Sequence, residues 1–190
     1  KKKNYNFIIL KGVPINLNNQ RYDEYRMIKN VAISQDNNNY IFSKFDLEKI
    51  VSKNKSVNKE IINDLIISNI TLKYTQSNSV CIAYHGRTIG IGAGQQSRID
   101  CVKLARRKAE IYLLRNNKYV TDSLDFIDNI KSQDKINATI QYIEDDMSRR
   151  EKQLWLKNFK EQPKDLDIDK FDFYRTLDGI SLSSDGFFPF

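Results

Sequence analysis

The stretch QSNSVCIAYHGRTIGIGAGQQSRID, Gln76 to Asp100, holds most of the residues in this chain whose types and spacing could do chemistry. Its end, GAGQQSR, reads as a strand feeding a helix N-terminus. Free backbone N–H groups and the positive end of the helix dipole meet there, which makes a cradle for a phosphate or carboxylate. Arg98, on the first helical turn, adds a directed fork for an anion or a carboxamide. The glycine spacing fits neither the dinucleotide fingerprint nor a P-loop, because no Gly-Lys-Ser/Thr follows. The sole histidine, His85, sits with Gly86 at a two-residue turn and reads as a spacer. No Ser-His or Cys-His couple can be built around it. Cys81 and Cys101 have no supporting histidine, so structural zinc is not expected, and the zinc deaminase signature is absent. Both cysteines read as reduced core residues, which suits the cytoplasm.

The elements that must position these residues follow from periodicity. NYNFIILK (4–11) and RMIKNVAISQ (26–35) read as strands, and a short helix is expected over 44–52. Ser56 is expected to cap the helix VNKEIINDLIIS, followed by a strand ITLKYTQ (70–76). Ser77-Asn78 interrupts that strand and SVCIAY resumes it. RTIGIGAG returns as the partner of a hairpin. Gly90, Gly92 and Gly94 alternate, so their bare backbone should share one face and admit a close neighbour, read as another strand. Ser97 and Asp100 resemble a capping box that opens a helix to about Asn116. Its inward stripe is expected to be Ile99, Val102, Ala105, Ala109, Tyr112 and Leu113. Helices are expected over 122–131, 134–146 and 148–162, with Trp155 and Phe159 as core anchors, and ISLSS as a last strand. The sum is an α/β or α+β layered architecture built around the central hairpin.

The chain has 190 residues and a formal net charge of +7, with 40% hydrophobic residues. That length suits one domain or part of a larger one. No apolar run is long enough to span a bilayer, so no membrane partner is expected. The basic residues are scattered among the acidic ones and do not interleave with aromatics. A diffuse surface that attracts small anionic ligands is therefore preferred to a nucleic-acid partner. The start without Met and the phenylalanine-rich end SSDGFFPF lead to the expectation of more chain on both sides.

Three blocks, LKYTQSNSVC, IGIGAGQQSRI and SSDGFFPF, together with LARRKAEIYLLRN between them, resemble the transformylase domain of the bifunctional purine-biosynthesis family that joins AICAR transformylase to IMP cyclohydrolase. The resemblance covers essentially the whole chain. It implies that residues 1–190 are part of that domain, incomplete at both ends, with 179–190 leading into a C-terminal part. The implied fold is a cytidine-deaminase-like layered sheet with flanking helices and no zinc. The implied activity is formyl transfer from 10-formyltetrahydrofolate, the cosubstrate, to the 5-amino group of AICAR by a cytoplasmic homodimer.

Carried over by motif, the resemblance implies that Asn78 is catalytic and that Arg98 and Phe187 bind the nucleotide. Ile99, Pro189 and Phe190 would contact the folate. A potassium ion would be held by the Leu72 carbonyl, Thr75, Ser77, Ser79 and Asp185, all oxygen donors suited to a hard cation. A Lys-His pair that moves protons in the family has no counterpart in these residues, so the chain alone is expected to be inactive. The rival readings are a basic nucleic-acid-binding module and a non-catalytic structural piece of an assembly.

Overall fold

In the computed structural model, residues 11–12, 23–166, 168 and 177–188 are described. The chain divides into two compact units, Lys1–Ile41 and Phe42–Phe190. In the first, the expected single strand over 26–35 is instead a hairpin of β1 (Asp23–Ile28) and β2 (Val31–Asp36). Lys29 adopts a positive φ of 54° and turns the chain between them. The lysine-asparagine pair lacks a glycine, which hid the turn from the pattern. The expected strand over 4–11 lies outside the described residues, apart from Lys11.

The second unit is built on a three-stranded antiparallel sheet of order β4-β3-β5, with β3 Ser79–Tyr84, β4 Arg87–Ala93 and β5 Ser181–Ser184. The hairpin, its two-residue turn and the last strand all fall where expected. His85 and Gly86 both have positive φ, and Asp64 accepts a 2.6 Å hydrogen bond from the Gly86 N–H. The short helix expected over 44–52 is a single 3₁₀ turn, Lys44–Leu47, capped by Ser43.

Helix α1 (Lys59–Lys73) is capped by Asn58 rather than Ser56, with Asn58 Oδ1 accepting from Ile61 N at 2.8 Å. It runs through Ile70–Lys73, where a strand was expected. The buried stripe here is Asp64, Ser68 and Leu72, spaced four apart, so two of its three members are polar. Apolar periodicity cannot mark such a stripe. Ser68 and Asn69 instead hydrogen-bond to Ser183 of β5.

Helix α2 (Arg98–Leu114) opens at Ser97, which accepts from Asp100 N and donates to the Asp100 carboxylate. Its buried residues Cys101, Ala105 and Ala109 are small and spaced four apart, and they meet Val80, Ile82 and Ile89 of the sheet. Gly90 and Gly92 lie opposite Ile82 and Val80 and face this helix. A Cβ at Gly90 would fall 2.0 Å from the Ala105 carbonyl oxygen, and one at Gly92 would fall 2.0 Å from that of Cys101. The close neighbour is thus a helix, not another strand. Gly94 has a different role: it lies beyond β4 with φ +66°, in a turn. Ile99, expected inside, is 45% exposed, because it lies off the face of α2 that Cys101, Ala105 and Ala109 turn to the sheet.

A second core joins Leu114, Val120, Tyr142, Ile143, Trp155 and Phe159. It packs α4 (Ser132–Glu144) and α5 (Arg149–Trp155), which follow the short α3 (Lys118–Thr121). The helix expected over 122–131 is absent, because Phe126 pairs its backbone with Phe159 and Ile127 N donates to Asn158 O at 3.0 Å. The segment expected as a helix over 148–162 ends early, at a 3₁₀ turn over Leu156–Asn158. Trp155 and Phe159 are core anchors as expected, with the Trp155 indole N–H donating to Ala138 O at 2.9 Å. The observed class is mixed α/β, with small sheets and flanking helices.

Replacing Gly92 with Val should therefore cost at least about 1–3 kcal/mol, since neither backbone can give way without moving the other. Denaturant unfolding checks this, and a midpoint equal to that of the natural protein would show that α2 does not press on the strand.

Candidate functional site

Three segments distant in sequence converge where α1 ends, α2 begins and β5 leaves the sheet. The first is the link after α1, in which the Ser77–Asn78 peptide is cis. Its backbone is pinned on both sides. Gly94 N donates to Gln76 O and to Asn78 O, each at 2.9 Å, and the Cys101 thiol donates to Asn78 O at 3.0 Å. A turn glycine and a buried cysteine thus fix the segment that carries Asn78.

The Asn78 side chain is held as firmly. Its Nδ2 donates to the carbonyl of Gln95 at 3.2 Å and, more weakly, of Gln96 at 3.4 Å. Its Oδ1 accepts from Arg98 Nη2 at 3.0 Å. A guanidinium can only donate and a carbonyl can only accept, so only one orientation of the amide satisfies both sides.

Arg98 is fixed in turn. Its Nη1 donates to Ser184 Oγ at 2.8 Å and pairs with Asp185 Oδ1, and both side chains are largely buried. Gly186 leaves room for the guanidinium, since a Cβ there would come to 2.7 Å from Nη2. Asp185 also accepts from Ser79 N at 3.0 Å, while its own N–H donates to Ser79 O at 3.2 Å. Burial alone would raise the Asp185 carboxyl's pKa. Hydrogen bonds from Ser77, Arg98 and Ser79, with the Arg98 charge, outweigh it and hold the pKa down at about 2.

The structure thus brings Asn78, Arg98, Asp185, Ser77 and Ser79 into one cluster. Leu72 and Thr75 sit at the end of α1, joined by a bond from Thr75 Oγ1 to Leu72 O at 2.9 Å. The Ser79 hydroxyl is buried and has no hydrogen-bond partner. Ile99 is beside Arg98 but turned outward, and Phe187 is 82% exposed just past β5. Pro189 and Phe190 lie outside the described residues. His85 is at the far end of β3 from Asn78. Both cysteines are free and buried, and burial pushes the Cys81 thiol up to about 11, against a hydrogen bond with Thr71.

Sequence reasoning missed two contributors and the manner of two more. Gln95 and Gln96, expected to be aimed at the ligands, instead hold Asn78 through main-chain carbonyls, which no side-chain pattern reveals. Cys101 passed as plain core. Ser184 sits in the SSDG block but carries no signal that it would face an arginine 86 positions earlier.

The model of the AICARFT/IMPCHase bienzyme family matches residues 1–108. The chain belongs to this family. It is 32% identical over 114 residues to a bifunctional purine biosynthesis protein PurH of Persephonella marina, a match covering 60% of this chain and 21% of that relative. A PurH of Chlorobium phaeobacteroides is 34% identical over 90 residues, covering 47% of this chain and 17% of its own. The chain therefore spans about a fifth of the length of these family members. The family match includes Asn78 and Arg98 and stops before β5, so the place of Asp185 rests on geometry.

Because the folded pKa of Asp185 is depressed, its contribution to stability is complete above the ordinary value of 3.8 and is lost as pH falls toward about 2. Acid unfolding followed by circular dichroism should become shallower over that window in Asp185→Asn. An unchanged profile would show that the ion pair does not stabilise the fold.

Proposed function

We propose that this chain supplies part of the site where a formyl group passes from 10-formyltetrahydrofolate to the 5-amino group of AICAR, giving FAICAR in purine biosynthesis. The observation that carries the reading is the partly buried, mutually hydrogen-bonded Asn78–Arg98–Asp185 cluster at the start of α2, within a chain of the AICARFT/IMPCHase family. Formyl transfer passes through a tetrahedral oxyanion, which needs a directed N–H donor in a dry site. Asn78 supplies an amide whose orientation is set by its neighbours, and its weaker N–H contact, 3.4 Å from the Gln96 carbonyl, is the one an oxyanion would take over. Arg98 has five N–H donors, of which Ser184, Asp185 and Asn78 engage three, so it keeps donors for the nucleotide, and Phe187 is exposed enough to stack on a ligand. Ile99 on its outer face, with Pro189 and Phe190, would meet the folate.

The AICAR amine is conjugated and a weak nucleophile, so it needs a proton acceptor, and the folate nitrogen needs a donor as it leaves. Six residues of β3 at roughly 3.3 Å each put His85 about 20 Å from Asn78, out of reach of the same proton. Both proton-handling groups are accordingly assigned to residues outside these 190. The sheet held between α1 and α2 is compatible with the cytidine-deaminase-like layering. Exposed apolar residues such as Tyr25, Met27 and Phe45 support a homodimer that covers them. The reduced cysteines support a cytoplasmic setting.

A potassium ion fits the residues present. The Ser79 hydroxyl is orphaned and buried beside Asp185, and Ser77, Thr75 and the Leu72 carbonyl offer further hard oxygen donors. The ion would neutralise carboxylate charge and stiffen the link that carries Asn78.

In the intact natural protein, Asn78→Ala should lower kcat roughly 100- to 1000-fold, the usual cost of one oxyanion donor, with little change in Tm. A kcat near that of the unaltered protein would remove Asn78 from the chemistry. Exchange of potassium for lithium should lower Tm or activity, and indifference to the cation would defeat the ion's assignment.

A further inference from the structure

We infer that Asp185 is a positioning residue: it anchors the Arg98 guanidinium, and through Arg98 it holds the Asn78 amide with Oδ1 toward Arg98 and Nδ2 toward the Gln95 and Gln96 carbonyls. The inference rests on the formyl-transfer reading for its kinetic consequence, and on geometry alone for the linkage. Asp185 reaches Arg98 by an ion pair from the end of β5, while Ser184 holds the same Nη1 at 2.8 Å. The remaining arm of the fork, Nη2, points at Asn78 Oδ1 at 3.0 Å. Asp185 does not itself touch the Asn78 side chain. It is held by the backbone of Ser79, next to Asn78, so anchor and target share one rigid strand start. A carboxamide is nearly symmetric in shape, and only its partners decide whether oxygen or nitrogen lies on a given side. Without a donor facing Oδ1, only the longer bonds from Nδ2 to the Gln95 and Gln96 carbonyls, at 3.2 and 3.4 Å, hold the amide, and its N–H groups are less firmly placed for a developing oxyanion.

The test is a double-mutant cycle in the intact natural protein, with Asp185→Asn and Asp185→Glu made alone and in an Arg98→Lys background. Lysine keeps the charge but has no second arm. Asp185→Asn alone should lower kcat on the order of a hundredfold, with KM for AICAR changing much less, as expected for a misplaced group. Asp185→Glu should recover part of the loss. In the Arg98→Lys background, Asp185→Asn should cost less than about twofold more, because the route to Asn78 is already cut. Equal factors in both backgrounds, or a loss from Asp185→Asn that Asp185→Glu does not recover at all, would overturn the assignment.

The same cycle read by Tm needs no reaction. Coupled Tm shifts in a protein that does not turn over would leave the linkage standing and sink the formyl-transfer reading. Additive Tm shifts would sink the linkage whatever the activity. Should Asp185→Asn fail to fold, Ser184→Ala, which frees Nη1 of its other partner, should show the same kcat loss in smaller degree, and an unchanged kcat there would count against the assignment.

Discussion

The contact on which the second unit depends is the one between bare strand backbone and the small face of α2. Cys101, Ala105 and Ala109 lie against Gly90 and Gly92 so closely that a side chain at either glycine would strike a helix carbonyl. Such contact maximises dispersion over a short length but tolerates almost no change of shape. It also sets the height of α2 above the sheet. The first turn of that helix carries Arg98, so the helix height decides whether the guanidinium reaches Asn78 on one side and Asp185 on the other.

The β-bulge at Ile89 belongs to the same constraint. Ile82 pairs with Gly90 and Ala83 with Thr88, leaving Ile89 as the extra residue in β4. Both glycines on the sheet side of the bulge keep the α2 face, and Ile89 is still buried in the core. Further along, Asp64 accepts from the Gly86 N–H and ties the hairpin tip to α1. The hairpin is therefore held at its tip by one helix and along its return strand by the other, and the site sits at the opposite end.

Much of this was legible in the sequence. The hairpin, the Ser97 cap and β5 follow from turn residues, alternation and capping chemistry, which act over a few neighbours. The glycines announced a close approach, but not that a helix would fill it, because a missing side chain says nothing about its neighbour's identity. The continuation of α1 through Ile70–Lys73 was hidden because Asp64 and Ser68 occupy its buried stripe and are satisfied by tertiary hydrogen bonds. The absent helix over 122–131 is the converse: a local pattern was overridden by the pairing of Phe126 with Phe159. Of the candidate site, Arg98 was singled out by its place on the first helical turn and Asn78 and Asp185 by motif resemblance, and the structure brings the three together. Their joining through Ser184 and the Gln95 and Gln96 carbonyls depends on three-dimensional register alone.

That Asp185 lies 87 positions after Arg98 has a bearing on the order in which the molecule assembles. The hairpin, α1 and α2 are near one another along the chain and can gather cheaply. Closing the long loop that brings β5 home carries a larger entropic cost, recovered only when Ser184 and Asp185 find their partners. On this count, of the elements that complete the site, β5 carries the largest entropic cost of closure. A ligand that grips Arg98 and Asn78 would be held by a guanidinium that β5 has already steadied, so occupancy and the closure of this loop favour each other. Breathing of β5 away from β3 would in the same way loosen the site before it disturbed either core.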